Sequence, residues 1–277
     1  MSSTPVPTLT LNDGAAIPQL GFGVFQVEND AATTAVTSAL EAGYRSIDTA
    51  AVYGNEEGVG RALARSDVPR EELFVTTKLW NTEQGYDSTL AAFEESLRRL
   101  GLDYVDMYLI HWPTPARDRY LDTWRAFEKL RADGRVRTIG VSNFQTDHLA
   151  RLAEHGDVVP AVNQVELHPY LQQRRVREFD ASHGIRTEAW SPLGQGGDLL
   201  RDPVLGQMAK AHGKTIAQTV LRWHLQLGNI VIPKSVTPSR IRENFDVFDF
   251  ELTAEEMTAI SGLDRGQRMG PDPDKVD

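Results

Sequence analysis

Four side chains in this sequence are of the types that together protonate a carbonyl oxygen: Asp48, Tyr53, Lys78 and His111. Lys78 is the most telling. It interrupts Leu73-Phe74-Val75-Thr76-Thr77-Lys78-Leu79-Trp80, which reads as a buried strand. A buried ammonium costs several kcal/mol unless it is paired, and Asp48, at the end of a neighbouring strand, supplies the carboxylate. Tyr53 lies in the loop after Asp48. A phenol ordinarily titrates near 10, too high for proton transfer at neutrality. A nearby ammonium favours the phenolate and lowers that value, which makes the phenol a usable general acid. A neutral imidazole at His111 can donate a hydrogen bond to the same carbonyl. Each residue also has a plainer reading: a structural ion pair for Lys78, a loop aromatic for Tyr53, a core histidine for His111. Their combination on three neighbouring strand ends favours the chemistry. Phe25, Trp80 and Trp112 fall at or just past strand ends and point to an aromatic-walled mouth that excludes water.

The elements that must position these groups form a regular series. Thr8-Leu9-Thr10-Leu11, the turn Asn12-Asp13-Gly14 and Ala15-Ala16-Ile17 read as a hairpin. Eight apolar runs follow: Gln19–Phe25, Ser46–Asp48, Phe74–Leu79, Val105–His111, Thr138–Ser142, Ala161–Val165, Arg186–Trp190 and Ile230–Pro233. Leu102 to Trp112 is the cleanest of them, with Asp103 and Asp106 expected at its solvent-side entry. Helix-period segments separate the runs: Ala31–Glu41, Ser88–Leu100, Leu121–Leu130, His148–Glu154, Arg174–Ala181, Ile216–Leu225 and Arg240–Phe245. Most strand ends recur at the length of one βα unit. The last interval is longer and holds two helical patterns, Asp202–Ala211 and Thr215–Leu225. Eight such units predict a (β/α)8 TIM barrel with an N-terminal β-hairpin, one domain over residues 1–277. The short C-terminal tail after Gly262 is expected to lie irregularly over one barrel face, the active-site face. In this fold the carboxyl ends of the strands carry the active site.

Composition narrows the function further. Of 277 residues, Lys plus Arg number 29 and Asp plus Glu 39, a net charge of −10. That acidity opposes general nucleic-acid binding. The chain has no cysteine, which removes disulfides, thiolate nucleophiles and cysteine-ligated metals. Met1 to Pro7 is neither basic nor apolar, unlike a secretory signal, and no run is long enough to span a membrane. A cytoplasmic protein is expected. Gly21 and Gly23 lack the third glycine of a dinucleotide fingerprint, and no Walker, His-Glu-x-x-His or Gly-x-Ser-x-Gly motif occurs. Gly194-Gln195-Gly196-Gly197 reads as a flexible loop. Lys234-Ser235, with Arg240 and Asn244 on the next helix, lies where barrels commonly hold phosphate.

The motifs that carry a resemblance run the length of the chain. They are Gly43-Tyr44-Arg45-Ser46-Ile47-Asp48-Thr49-Ala50 continuing to Tyr53-Gly54-Asn55-Glu56, Thr76-Thr77-Lys78-Leu79-Trp80 and Leu100-Gly101-Leu102-Asp103-Tyr104-Val105-Asp106 with Ile110-His111-Trp112-Pro113. Gly140-Val141-Ser142-Asn143-Phe144, Asn163-Gln164-Val165-Glu166-Leu167-His168-Pro169 and Ile232-Pro233-Lys234-Ser235 complete them. The chain resembles the aldo-keto reductase family and, within it, the prokaryotic 2,5-diketo-D-gluconate reductase group.

The resemblance implies NADPH-dependent reduction of a small carbonyl compound by a monomeric enzyme that needs no metal. It makes Asp48, Tyr53, Lys78 and His111 the catalytic tetrad. Tyr53 would protonate the carbonyl oxygen, Lys78 held by Asp48 would depress the Tyr53 pKa, and His111 would orient the carbonyl. It places Trp190 on the nicotinamide face, with Val24 a further cofactor contact. Ser142, Asn143 and Gln164 would hold the carboxamide, and Ser191, Leu193, Gln195 and Gly196 the pyrophosphate. Lys234, Ser235, Arg240 and Asn244 would take the 2′-phosphate, which needs counter-charge, and Glu243 the adenine. Phe25, Trp80, His111 and Trp112 would line the substrate site. Trp190 stands where many members carry Tyr, Phe25 where many eukaryotic members carry Trp, and the polar tail after Met269 is short. Two other readings compete: a metal-dependent barrel hydrolase using Asp48, His111, Glu166 and His168, and a cofactor-binding module without catalysis. Lys78 would oppose a cation in the first, and Glu166 with His168 reads better as a structural hydrogen-bonding pair. The second has no need of a tuned tyrosine.

Overall fold

A computed structural model describes residues 6–277. Most of the amino-terminal segment read for a signal sequence, residues 1–5, lies outside them. The hairpin forms as expected, with β1 (Thr8–Thr10) antiparallel to β2 (Ala16–Pro18) and Leu9 opposite Ile17. Eight strands then follow: β3 (Phe22–Gly23), β4 (Ser46–Asp48), β5 (Phe74–Leu79), β6 (Val105–Ile110), β7 (Val136–Ser142), β8 (Val162–Glu166), β9 (Arg186–Trp190) and β10 (Ile230–Val231). Each pairs in parallel with the next, in sequence order. Backbone hydrogen bonds from Gly21 to Val231 and from Gly23 to Pro233 close the ring. The structure is the (β/α)8 barrel.

β3 and β10 are shorter than the runs Gln19–Phe25 and Ile230–Pro233. Their outer residues meet across the closing seam through single bonds, such as the Leu20–Val231 bridge, rather than a continuous ladder. The other strands are largely buried, between barrel interior and helices, with Arg137 and Arg186 exposed near the amino ends of β7 and β9.

The helices are α1 (Asn29–Ala42), α2 (Glu56–Arg65), α3 (Tyr86–Leu100), α4 (Tyr120–Ala132), α5 (Thr146–His155), α6 (Arg174–Ser182), α7 (Pro203–His212), α8 (Ile216–Gln226), α9 (Pro238–Phe245) and α10 (Ala254–Ser261). The expected helical segments all fall within or against these. α2 was not among them, because Gly58 and Gly60 break its apolar pattern. Both glycines are there for contact: a Cβ on Gly58 would sit 1.9 Å from the Asn29 carbonyl oxygen, and one on Gly60 2.3 Å from that of Leu100. α10 is short, and its legible signal is the capping box between Thr253 and Glu256.

One end of the barrel is plugged. Leu11 and Ile17 of the hairpin region pack with Phe74, Met107, Val162 and Ile230 at or near the amino ends of their strands. The open end is therefore the carboxyl end. Asp106 departs from its expected place at a solvent-side entry. It is buried in β6, where it meets Arg70 at 2.7 Å and Arg137 at 3.0 Å and accepts the Val75 amide at 2.9 Å. Two guanidinium groups and a backbone donor satisfy a carboxylate that would otherwise not tolerate burial. Among the described residues, no helix is long and apolar enough to cross a membrane.

Candidate active site

Asp48 ends β4 and Lys78 lies on the adjacent β5. Both are buried, and Lys78 Nζ meets Asp48 Oδ1 at 2.6 Å and the Thr49 carbonyl at 3.0 Å. Burial alone would pull the ammonium down, but Asp48 and Tyr53 outweigh it and Lys78 titrates above its ordinary value. It is a permanent cation in the barrel interior. Tyr53 sits above it on a single helical turn, Ala51–Tyr53, with Lys78 Nζ 5.2 Å from the ring centroid.

His111 directly follows β6. Its ring stands edge-on to Tyr53 at 5.6 Å and to Trp80 at 5.3 Å between centroids. Burial, reinforced by the charge of Lys78, holds its pKa well below the ordinary histidine value. The imidazole is neutral at physiological pH, as the chemistry requires of a hydrogen-bond donor to a carbonyl. Its Nδ1 is buried without a partner among the described residues.

Lys78 lowers the Tyr53 phenol as expected, but the net shift is upward from the ordinary value. Burial raises it most, Lys78 pulls it back down, and Asp48 and Glu188 push it up again. The pull of Lys78 is real but smaller than the desolvation of a phenolate in a dry barrel mouth.

These groups open into a cleft of about 1420 Å³. Asp48, Tyr53 and His111 line it, while Lys78 lies beneath. Phe25, Trp80 and Trp112 wall the cleft beside the tetrad, Phe25 with its ring 5.1 Å from that of Tyr53. Val24 does not reach the cleft. Gly23 and Phe25 line it, whereas Val24, between the strand end and the turn at Phe25, is buried in the surrounding core.

On the opposite side, Trp190 Nε1 donates to Asn143 Oδ1 at 2.8 Å, and Asn143 Nδ2 donates to the His111 carbonyl at 3.0 Å. Asn143 thus ties the indole to the tetrad. Ser142 Oγ donates to the Gln164 carbonyl, and Gln164 Nε2 donates to Asp48 Oδ2 at 2.8 Å and Glu188 Oε2 at 2.9 Å. Ser191, Leu193, Gln195 and Gly196 continue the lining. The glycine-rich segment is not a loose loop. It folds into the short helical turns Gly194–Gly196 and Asp198–Arg201, with Ser191 and Gln195 at φ values of 47° and 54°. Left-handed non-glycine residues of this kind cluster at ligand clamps.

At the far end, Lys234, Ser235, Arg240, Glu243 and Asn244 line the cleft around the start of α9. Lys234 and Arg240 are exposed and make no ion pair among the described residues. Glu243 is partly engaged, accepting from Thr215 Oγ1 at 3.0 Å.

Sequence reasoning missed Thr215, Ile216 and, behind this wall, Glu188, whereas it expected the tail over a barrel face. Thr215 and Ile216 at the start of α8 line the wall, and so does the tail through Met269, Gly270 and Val276. Glu188 is buried behind Gln164. It gave little signal, since its strand, Arg186-Thr187-Glu188-Ala189-Trp190, is largely polar and a carboxylate there does not stand out.

Glu166 and His168 do not assemble a metal site with Asp48 and His111. His168 Nε2 lies 3.0 Å from Glu166 Oε1, and the Glu166 oxygens accept the backbone amides of Met269 and Gly270. The pair anchors the tail. Among the described residues, no group of three or more potential ligands is arranged to hold a metal ion.

A barrel with a buried lysine–aspartate pair under a tyrosine and a neutral histidine at its carboxyl end defines an oxidoreductase-like site. The model of the aldo/keto reductase family matches residues 19–265, and the chain belongs to that family. It is 60% identical over 267 residues to an aldo-keto reductase of Mycolicibacterium smegmatis, spanning 96% of this chain and 97% of the relative. It is 55% identical over 270 residues to the glyoxal reductase of Bacillus subtilis, spanning 97% of each. It is 53% identical over 268 residues to the methylglyoxal reductase DkgA of Escherichia coli, spanning 96% of this chain and 97% of the relative. Among solved structures, a mutant of Gox0644 in complex with NADPH superposes with a TM-score of 0.95 at 51% identity, covering 99% of this chain and all of that one.

Proposed function

We propose that this protein reduces small carbonyl compounds to alcohols with NADPH, with Tyr53 as the proton donor. The observation that carries this reading is the charge arrangement at the cleft floor: a phenol held protonated above a permanent buried ammonium, beside a neutral imidazole. A cofactor-binding module without catalysis would have no use for that arrangement.

The cleft suits the cofactor. The unpaired cations Lys234 and Arg240 provide counter-charge for a 2′-phosphate. The left-handed backbone at Ser191 and Gln195 shapes a pyrophosphate cradle, and the Trp190 indole, fixed by Asn143, offers a flat face for nicotinamide. Bound there, NADPH supplies the hydride. The chain's own residues do the rest. His111 hydrogen-bonds the carbonyl oxygen and holds it at Tyr53. The Tyr53 hydroxyl transfers its proton to that oxygen as carbon gains the hydride, leaving the alcohol and a phenolate. Lys78 compensates the phenolate charge, and Asp48 holds Lys78 in place.

For the substrate we favour short dicarbonyls of the glyoxal and methylglyoxal type over 2,5-diketo-D-gluconate. The names of the Bacillus and Escherichia relatives support this, as does the compact aromatic wall of Phe25, Trp80 and Trp112. The test is loss of reduced-nicotinamide absorbance with methylglyoxal, 2,5-diketo-D-gluconate and an aromatic aldehyde, with NADH run in parallel. Methylglyoxal should give the highest kcat/KM, and a higher value for the diketo acid would reverse the assignment. Tyr53→Phe should lower kcat by about 10²- to 10⁴-fold while NADPH still quenches tryptophan fluorescence at the same concentration. Light scattering tests the accompanying expectation of a monomer.

A further inference from the structure

Beneath Tyr53 the barrel interior holds a second carboxyl that the proposed proton transfer does not use. Glu188 lies in the middle of β9 and is 1% exposed. Its Oε2 accepts from Gln164 Nε2 at 2.9 Å, and the same nitrogen donates to Asp48 Oδ2 at 2.8 Å. One amide therefore gives both of its protons to two carboxyl groups. The two acceptors fix which way the amide faces, and its carbonyl oxygen has no hydrogen bond among the described residues.

The cluster has one cation for two acids. The charged and titratable groups facing Glu188 are Asp48 from β4 and Lys78 from β5, with Tyr53 above. Asp48 holds the direct contact with the ammonium, at 2.6 Å. Ionising both acids would leave a net negative charge in a water-poor interior, where charges interact strongly. Burial and the charge of Asp48 accordingly push Glu188 up to about 8. The geometry leaves the extra proton on the acid without a cation of its own.

We infer that Glu188 is a proton-holding positioning residue: neutral, it leaves Lys78 free to compensate the phenolate formed at Tyr53, and ionised, it competes for Lys78 and slows reduction. The inference rests on the reductase reading above. It makes a specific statement about the alkaline limit of the reaction. Loss of the Tyr53 proton itself would end reduction outright, whereas ionising Glu188 only weakens the phenol as an acid. A partial step to a second plateau therefore belongs to Glu188.

Two measurements test this. The first is kcat/KM for methylglyoxal with NADPH from about pH 6 to about pH 10. In the unmodified enzyme it should fall roughly three- to tenfold to a second plateau, since the added charge weakens Tyr53 as an acid without removing its proton. The transition should centre near 8. In Glu188→Gln the transition should vanish, whatever the height of the plateau. In Glu188→Asp, which keeps a titrating carboxyl, a transition should persist.

The second measurement needs no turnover. Infrared difference spectra of the unmodified enzyme against Glu188→Gln at neutral pH should show the carbonyl stretch of a protonated carboxylic acid, lost as pH rises through about 8. Asp180, pushed up to about 7, contributes a similar band, and the difference between the two proteins removes it. A pH transition unchanged in Glu188→Gln, or identical spectra with turnover intact, overturns the inference alone. Failure to turn over any carbonyl overturns the reductase reading and the inference with it.

Discussion

Lys78 and Asp48 are tolerable in the barrel interior only together, and that mutual dependence gives a test. Lys78→Met keeps the side-chain volume but leaves buried Asp48 without its cation. Removing one partner of a buried pair costs about 3–5 kcal/mol, to be read by chemical denaturation, and reduction should fall with it. The double variant Lys78→Met/Asp48→Asn should regain much of the stability without regaining activity, because no cation remains for the phenolate. Return of both would show the pair to be purely structural. Lys78 was legible because a charge inside an apolar strand demands a partner. Glu188 sends no such signal from its polar strand, and its link to Asp48 passes through Gln164, a residue 116 positions along the chain from Asp48. Only the closed barrel brings the three together. The direction of the Tyr53 shift was equally out of reach, since it depends on how burial and neighbouring charges balance at one point in space.

At the scale of elements, the sequence marks helices by their apolar period and hides those whose faces are set by close contact. α2 escaped because its two glycines serve the approach to Asn29 and Leu100 rather than an apolar stripe. The tail was expected over a barrel face, but its anchor was hidden. It has no period, and it is held by Glu166, whose oxygens accept the Met269 and Gly270 amides while Gly270 packs on Trp190 with no room for a Cβ, 2.5 Å from Cη2. Glu166→Gln places an amide nitrogen against one of those donors. The tail should loosen, so that carboxypeptidase trims it faster by mass spectrometry, and KM for the carbonyl should rise several-fold with kcat little changed. An intact tail under the same digestion would mean that Glu166 is not its anchor. The start of α9 carries a second element-scale prediction. Arg240→Ala removes an exposed, unpaired cation and should weaken NADPH by roughly 10- to 100-fold, the range of a charge-assisted phosphate contact, while leaving NADH within about twofold. Equal losses for the two would remove the 2′-phosphate assignment.

At the scale of the whole molecule, stability and pH are coupled through an acid far from the chemistry. Asp180 on α6 is buried where the helix layer meets the barrel, accepting from Thr187 Oγ1 of β9 at 2.8 Å and from Asn163 Nδ2 of β8 at 3.3 Å. Among the described residues no cation pairs with it, and burial pushes it up to about 7 against the opposing pull of these hydrogen bonds. The folded state therefore keeps a proton that the unfolded chain loses near pH 4. Between about 4 and about 7 the native state binds more protons than the unfolded one, so stability falls as pH rises through that window and levels off above it. The shift corresponds to an upper bound of about 4 kcal/mol. Asp180→Asn keeps the shape, can still bond both Thr187 and Asn163, and has no proton to lose. Its melting temperature should exceed that of the unmodified protein by several degrees at pH 8 and by only about a third as much at pH 5, as scanning calorimetry at the two values will show. A difference of the same size at both pH values would trace the effect to packing rather than to ionisation.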